Sequence, residues 1–148
     1  MNNHNMTEKK IKKSAAVEVD EKRFMAALKR RLAEIAVELS AVQLGQLAEY
    51  YRLLVETNRV MNLTGIVEAE EVAEKHIADS LRLIEYLPQA DEMQPFSIID
   101  VGTGAGLPGI PLAVALPQAR VILLDSQRKR CDFLESVCNQ LGLANTRV

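Results

Sequence analysis

The chain is short of the features that would name a function cheaply. It has two cysteines in 148 residues, Cys131 and Cys138. They stand seven apart on what reads as one helix. A rise of ~1.5 Å per residue puts their Cα atoms roughly 10 Å apart, too far for a disulfide. They are expected to be small core residues of a reduced protein. No His/Cys cluster has metal-ligand spacing. No apolar run reaches the ~20 residues that span a bilayer, and no N-terminal apolar stretch resembles a signal peptide. The expectation is a cytoplasmic protein. No internal repeat is visible.

A strongly basic domain is missing too. Residues 1 to 40 hold nine Lys/Arg against six Asp/Glu, residues 41 to 96 four against ten, and residues 97 to 148 five against four. An RNA partner therefore has to be argued from something other than bulk charge. What is there is an ordinary globular composition, 48% hydrophobic and 26% charged, long enough to bury a core without staples.

Three regions follow from the patterning. Residues 1–20, which include His4, have few large apolar side chains and read as a mobile tail. Residues 21–95 read as a helical segment. A first helix is predicted from about Glu21 to Leu39, with Phe24, Leu28, Leu32, Ile35 and Leu39 at helical spacing. Ser40 and Gln43 form a capping-box pattern that should start a second helix, its stripe Leu44, Leu47, Tyr51 and Leu54. Asn58 to Gly65 is turn-rich and should break it. A third helix, about Glu68 to Leu87, should turn Val72, His76, Ser80, Leu83 and Leu87 inward. Pro88 to Pro95 then reads as a linker.

The character changes at Phe96. Phe96 to Val101 and Arg120 to Leu124 read as buried strands, Leu107 to Leu116 and about Gln127 to Leu141 as helices, and Asn145 to Val148 as the opening of a third strand. Gly142 should end the second of these helices as a C′ glycine. Strand, helix, strand, helix, strand over residues 96–148 is half of a doubly wound parallel sheet. The fold class is α/β and Rossmann-like, the first half of the sheet only, behind an N-terminal helical segment.

The chemistry should lie at Asp100-Val101-Gly102-Thr103-Gly104-Ala105-Gly106. A strand ends there at the carboxyl edge of the sheet, and glycines let a ligand approach the backbone. The helix beginning near Leu107 should offer unpaired N–H groups beside the loop. Asp125, at the end of the next strand, can accept from a ribose diol. Gly104 to Gly109 also satisfies the G-x-G-x-x-G of nicotinamide-dinucleotide proteins. Asp100 argues against that, because an acid at the loop mouth repels a pyrophosphate and suits the ammonium and sulfonium of S-adenosylmethionine. D-x-G-x-G-x-G is the methyltransferase form.

Asp100 to Pro111 (DVGTGAGLPGIP), with Leu123-Leu124-Asp125-Ser126 and Lys129-Arg130, resembles the bacterial small-subunit ribosomal RNA guanine-N7 methyltransferases, the RsmG or GidB family. Asn58 with Asn62-Leu63-Thr64 resembles that family's N-x-x-x-N-L-T pattern. Lys75-His76 with Asp79-Ser80-Leu81 resembles its K-H-x-x-D-S-L pattern. The resemblance runs from about residue 40 onward. It implies class I methylation of guanine N7 in the 530 loop of 16S ribosomal RNA, with 16S rRNA or the small ribosomal subunit as partner and S-adenosylmethionine as cofactor. It implies that Gly102 and Leu107 contact the cofactor, that Gly104 and Gly106 shape the loop, that Asp100 lies near the methionine end and Asp125 near the ribose.

His76, Asp79 and Ser80 are read on one helix face, either as a polar anchor on the core or as site neighbours. Arg128, Lys129 and Arg130 are either a solvated run or phosphate contacts. Lys29, Arg30 and Arg31 are expected on the exposed face of the first helix. No catalytic acid or base is named, since guanine N7 already carries a lone pair, and no metal is needed. The implied fold has about seven strands, of which this chain supplies three. The expectation is that these 148 residues would leave a sheet edge unpaired and an apolar face uncovered. They would then be at best a weak cofactor binder. The rival reading is a non-catalytic fragment that binds cofactor, RNA or a partner.

Overall fold

Asp20 opens the first helix, α1 (Glu21–Glu34), by accepting from the Arg23 amide at 3.0 Å. The computed structural model describes residues 17–88 and 95–148. Most of the expected tail, His4 included, and most of the expected linker lie outside the described residues. Residues 17–20 are held: Val19 packs on the core, the Asp20 amide donates to Tyr51 Oη, and Arg59 donates to the Val17 carbonyl.

The first helix stops five residues before the predicted end. Ala36 takes a φ of 54°, and the Val37 amide turns back to the Leu32 carbonyl. Phe24, Leu28 and Leu32 are buried as expected, while Ile35 and Leu39 pack on the core from the loop. Ser40 and Gln43 form the reciprocal capping box that starts α2 (Ala41–Met61). This helix runs through the predicted break at Asn58 and ends only where Asn62 adopts a left-handed conformation. Leu47, Tyr51 and Leu54 are buried on it and Leu44 partly so. The Phe24 and Tyr51 rings stack at 4.5 Å and join α1 to α2.

The third helical rod, α3, is irregular. It consists of an α-turn (Ala69–Glu71), a π-helical stretch (Val72–Ala78), a second α-turn (Asp79–Leu81) and a 3₁₀ end (Arg82–Tyr86). The π stretch places Val72 over Ile77 and Ala73 over Ala78, all four buried, at a spacing of five. That widening shifts the phase of everything after it. Leu81 and Ile84 therefore take inward positions, and Leu83, predicted inward, is 41% exposed. Lys29 and Arg30 are exposed on α1 as expected and Arg31 is half-buried; Arg30 and Arg31 pair with Glu74 at 3.2 and 3.1 Å, and Arg23 pairs with Glu70. These exposed pairs orient α1 on α3 more than they stabilise it.

Three parallel strands follow, β1 (Ser97–Val101), β2 (Arg120–Leu124) and β3 (Thr146–Arg147), in the order β1-β2-β3. The register pairs Ile98 with Val121 and Asp100 with Leu123. Helix α4 (Gly109–Ala115) and helix α5 (Arg128–Leu141) connect them, and Gly142 ends α5 at a φ of 66°. The predicted start of α4 at Leu107 is two residues early. Leu107 and Pro108, joined by a cis bond, belong to a turn in which the Gly106 and Leu107 amides both donate to the Thr103 carbonyl. Asn145 stitches the far end together by donating to the Ala113, Leu116 and Ala119 carbonyls.

Val121 and Leu123 are fully buried on the helix-covered side of the sheet. On the opposite side Ile99, Val101 and Leu124 are 57%, 78% and 45% exposed, and among the described residues β1 and β3 are the edge strands. The architecture is the first part of a Rossmann-like sheet with helices in front of it in sequence, as the pattern implied.

Candidate functional site

At the carboxyl edge of β1 and β2 the glycine loop is tied down from every side. The Gly102 and Thr103 amides donate to the Leu124 carbonyl at 2.8 and 2.9 Å, which holds the loop to the end of β2. The Gly104 amide donates to Asp125 Oδ2 at 2.9 Å. The Ala105 carbonyl accepts from the fully buried Tyr50 Oη at 2.8 Å. Asp100 Oδ2 accepts from Thr103 Oγ1 at 2.6 Å and from the Gly109 amide at 2.9 Å.

The expectation that α4 offers unpaired N–H groups is not met. Gly109 gives its amide to Asp100, and Ile110 and Leu112 give theirs to the Gly106 and Pro108 carbonyls. Pro111 has no amide proton to give. The start of this helix is satisfied from within, so it holds no free donors for a pyrophosphate.

The three glycines divide by role. A Cβ at Gly102 would meet nothing within 4 Å, and one at Gly104 would meet only the Gly102 carbonyl at 4.0 Å. Those two positions leave room for a ligand to lie against the backbone. A Cβ at Gly106 would run into the Ile110 side chain and stand 2.9 Å from Leu134 Cδ2. Gly106 is thus a packing glycine, and Gly109, whose Cβ would strike Leu123 and Asp100, is another.

Asp125 lies at the end of β2 as predicted, but its carboxylate is built into the loop. Oδ1 accepts from the Gln127 amide, Oδ2 from Gly104, and Arg130 stands 3.7 Å away; the side chain is 4% exposed. The Gln127 amide foremost, helped by Gly104 and Arg130, holds this carboxyl below its ordinary pKa against the cost of burial. Of the basic run, Arg130 therefore faces the site, Arg128 pairs with Asp132 at 2.9 Å, and Lys129 is exposed.

The two upstream motifs converge. Asn58 Oδ1 accepts from the Thr64 amide at 2.8 Å, and Thr64 Oγ1 lies 2.8 Å from His76 Nε2. His76 and Ser80 face inward, with Ser80 Oγ donating to the His76 carbonyl at 2.5 Å. Asp79 does not share that face. It is exposed and 3.8 Å from Arg82, because the π stretch changes the angular spacing on which the prediction relied. The turn Asp79–Leu81 packs against α4, the helix that follows the loop.

Burial lowers the His76 pKa, opposed by the Lys75 backbone and the Asp79 charge. The unfolded chain then binds this proton more readily than the folded one. The contribution to stability is full above about pH 6.5 and is lost as pH falls through the depressed folded value. Melting profiles of the unsubstituted chain and His76→Gln should separate below that pH, the unsubstituted chain losing more. Parallel profiles would rule the effect out.

Sequence reasoning missed Tyr50, Thr103 and Arg130's inward role. The adjacent tyrosines 50 and 51 were the available signal. Two large residues ~100° apart on a helix announce burial on two sides. Asp100 and Thr103, three apart across a turn, were a second. Among the described residues no His, Cys, Asp or Glu group is placed to hold a metal, and no helix is long and apolar enough to cross a membrane.

Comparison with known proteins agrees with this geometry. The family described as rRNA small subunit methyltransferase G (GidB) matches residues 43–148. A ribosomal RNA small subunit methyltransferase G of Lactiplantibacillus plantarum is 46% identical over 119 residues, 80% of this chain and 48% of that protein. Its namesake in Lachnoclostridium phytofermentans is 47% identical over 115 residues, 77% and 46% of the two chains. The Chromobacterium violaceum protein of that name is 43% identical over 123 residues, 83% and 56%. The chain spans about half the length of the curated relatives it matches. With the match beginning in α2 and running through the loop, α4, α5 and β3, the chain belongs to the rRNA small subunit methyltransferase G family.

Proposed function

We propose that this chain is the cofactor-binding half of an S-adenosylmethionine-dependent enzyme that methylates guanine N7 in the 530 loop of 16S ribosomal RNA. The observation that carries the proposal is the loop's own hydrogen bonding. The Gly102, Thr103, Gly104, Gly106 and Leu107 amides are turned inward, an acid anchors its base, and Gly102 and Gly104 stand open. A pyrophosphate needs several converging donors, and five of this loop's amides are already used. A cationic cofactor needs close approach and nearby negative charge, which Asp100 and Asp125 supply.

In this reading Gly102, Gly104 and Leu107 form the cofactor surface, Gly106 and Asp100 hold its shape, and the ribose diol takes the lone pairs that Gly104 and Gln127 leave on Asp125. Bound S-adenosylmethionine supplies an electrophilic methyl group. Guanine N7 presents its lone pair without help, so the protein's part is alignment and exclusion of water rather than proton transfer. His76 and Ser80 brace the wall behind α4. We assign RNA phosphate to Lys129 and Arg128, whose exposure at the start of α5 supports the reading. The setting is cytoplasmic, where ribosomal RNA is modified.

Titrating S-adenosylmethionine into the chain, followed by a methyl-transfer assay on 30S subunits and 16S RNA, tests this. Weak binding without transfer is the expected result for this half alone. Tighter binding of NAD than of S-adenosylmethionine would overturn the cofactor assignment. Transfer by the chain itself would overturn the view that the half is insufficient, and absence of all binding would leave a structural role.

A further inference from the structure

Helix α2 presents a polar seam as well as its apolar faces. Gln43 Nε2 donates to the Val114 and Ala115 carbonyls at 2.9 and 3.3 Å, at the end of α4. Gln46 Nε2 donates to the Leu141 carbonyl at 2.8 Å, at the end of α5. Tyr50 Oη donates to the Ala105 carbonyl at 2.8 Å, inside the glycine loop. Spacings of three and four put all three on one side of the helix. Each satisfies a backbone acceptor that its own segment leaves open: two helix ends and a loop apex.

From this seam we infer that Tyr50 is a positioning residue for the cofactor loop, and that α2 belongs to the binding unit rather than to a separate helical appendage. The Ala105 carbonyl lies between Gly104 and Gly106, both at positive φ. A glycine-rich segment has many backbone states open to it, and one anchored carbonyl removes most of them. Asp125 fixes Gly104 from the β2 side, and Tyr50 fixes the next residue from the α2 side. Tyr50 is fully buried and Ala105 nearly so, so no water replaces a lost bond cheaply. The consequence for ligand affinity rests on the cofactor reading above; the consequence for loop order does not.

The test is Tyr50→Phe, with Tyr51→Phe as its matched control. Tyr51 is equally buried, and its hydroxyl accepts one backbone amide, from Asp20 at 3.2 Å, away from the loop. In hydrogen exchange without ligand, Tyr50→Phe should speed exchange of the Gly104, Gly106 and Leu107 amides about tenfold, and Tyr51→Phe should leave them unchanged. In titration with S-adenosylmethionine, Tyr50→Phe should weaken binding roughly three- to tenfold at a temperature where both variants are folded. Equal loop exchange in the two variants, or unchanged loop exchange in Tyr50→Phe, overturns the inference. If the unsubstituted chain binds no S-adenosylmethionine, the cofactor reading fails while the exchange comparison still decides on Tyr50. Should Tyr50→Phe not fold, the unsubstituted chain answers: its Tyr50 hydroxyl proton should exchange together with the loop amides. A hydroxyl proton that exchanges freely while those amides stay protected overturns the assignment.

Discussion

Gly106→Ala should destabilise the chain by about 3 kcal/mol or more, a large share of what a domain of this size possesses. Two costs combine. The position has a φ of 97°, which an L-residue adopts with a penalty of roughly 1–2 kcal/mol. The new methyl would also press on Ile110 Cγ1 at 2.8 Å and Leu134 Cδ2 at 2.9 Å, both side chains at least nine-tenths buried and unable to yield easily. Gly102→Ala is the informative companion. Its φ of 72° carries the same strain, but its Cβ would point into open space. It should therefore cost only about 1–2 kcal/mol in stability and act on ligand binding instead. Urea unfolding separates the two on stability, and S-adenosylmethionine titration separates them on affinity. Equal midpoints for the two variants would contradict the division of the glycines into packing and ligand-facing positions.

Asp100→Ala should have the second largest effect. One carboxylate oxygen accepts from the buried Thr103 hydroxyl and from the first amide of α4. Removing it strands both donors. Each lost bond to a charged acceptor is worth roughly 1.5–3 kcal/mol, and an unsatisfied amide at a helix start adds to that. Because Asp100 is only half-buried, a total at the low end, about 3 kcal/mol, is expected, with α4 fraying from Gly109. Thr103→Val removes one of the two donors and should cost about half as much. Denaturant midpoints for the pair check the ratio, and circular dichroism checks the fraying. A tolerant Asp100→Ala would mean that the carboxylate serves a ligand and not the loop.

What could be read from the sequence was whatever a local signal dictates. The Ser40 and Gln43 capping box, the Gly142 terminator and the RVILL strand all stand where their residues place them. Asp100 and Asp125 stand at the strand ends for the same reason. Features that depend on tertiary context were not legible. Ala36 carries no helix-stop signal, and it is the Val37 turn back to Leu32 that ends α1. The π stretch in α3 has no recognisable composition, so Leu83 and Asp79 were assigned to the wrong sides. The amides of α4 look free in sequence because their acceptors, Asp100 and two loop carbonyls, are close only after the Leu107–Pro108 turn forms. Tyr50 was hidden by the habit of reading a helix as having one inward face.

The polar seam of α2 has a temporal consequence. Its three partners lie 55 to 95 residues further along the chain. Contacts that distant have to close long loops before they are rewarded, which slows the step that makes them. During synthesis α2 leaves the ribosome with Gln43, Gln46 and Tyr50 all unmatched, and Tyr50 is answered first, when the glycine loop emerges. Gln46 waits for Leu141. The glycine loop thus meets its α2 anchor before β2 brings Leu124 and Asp125 to it, and the seam closes last at the end of α5.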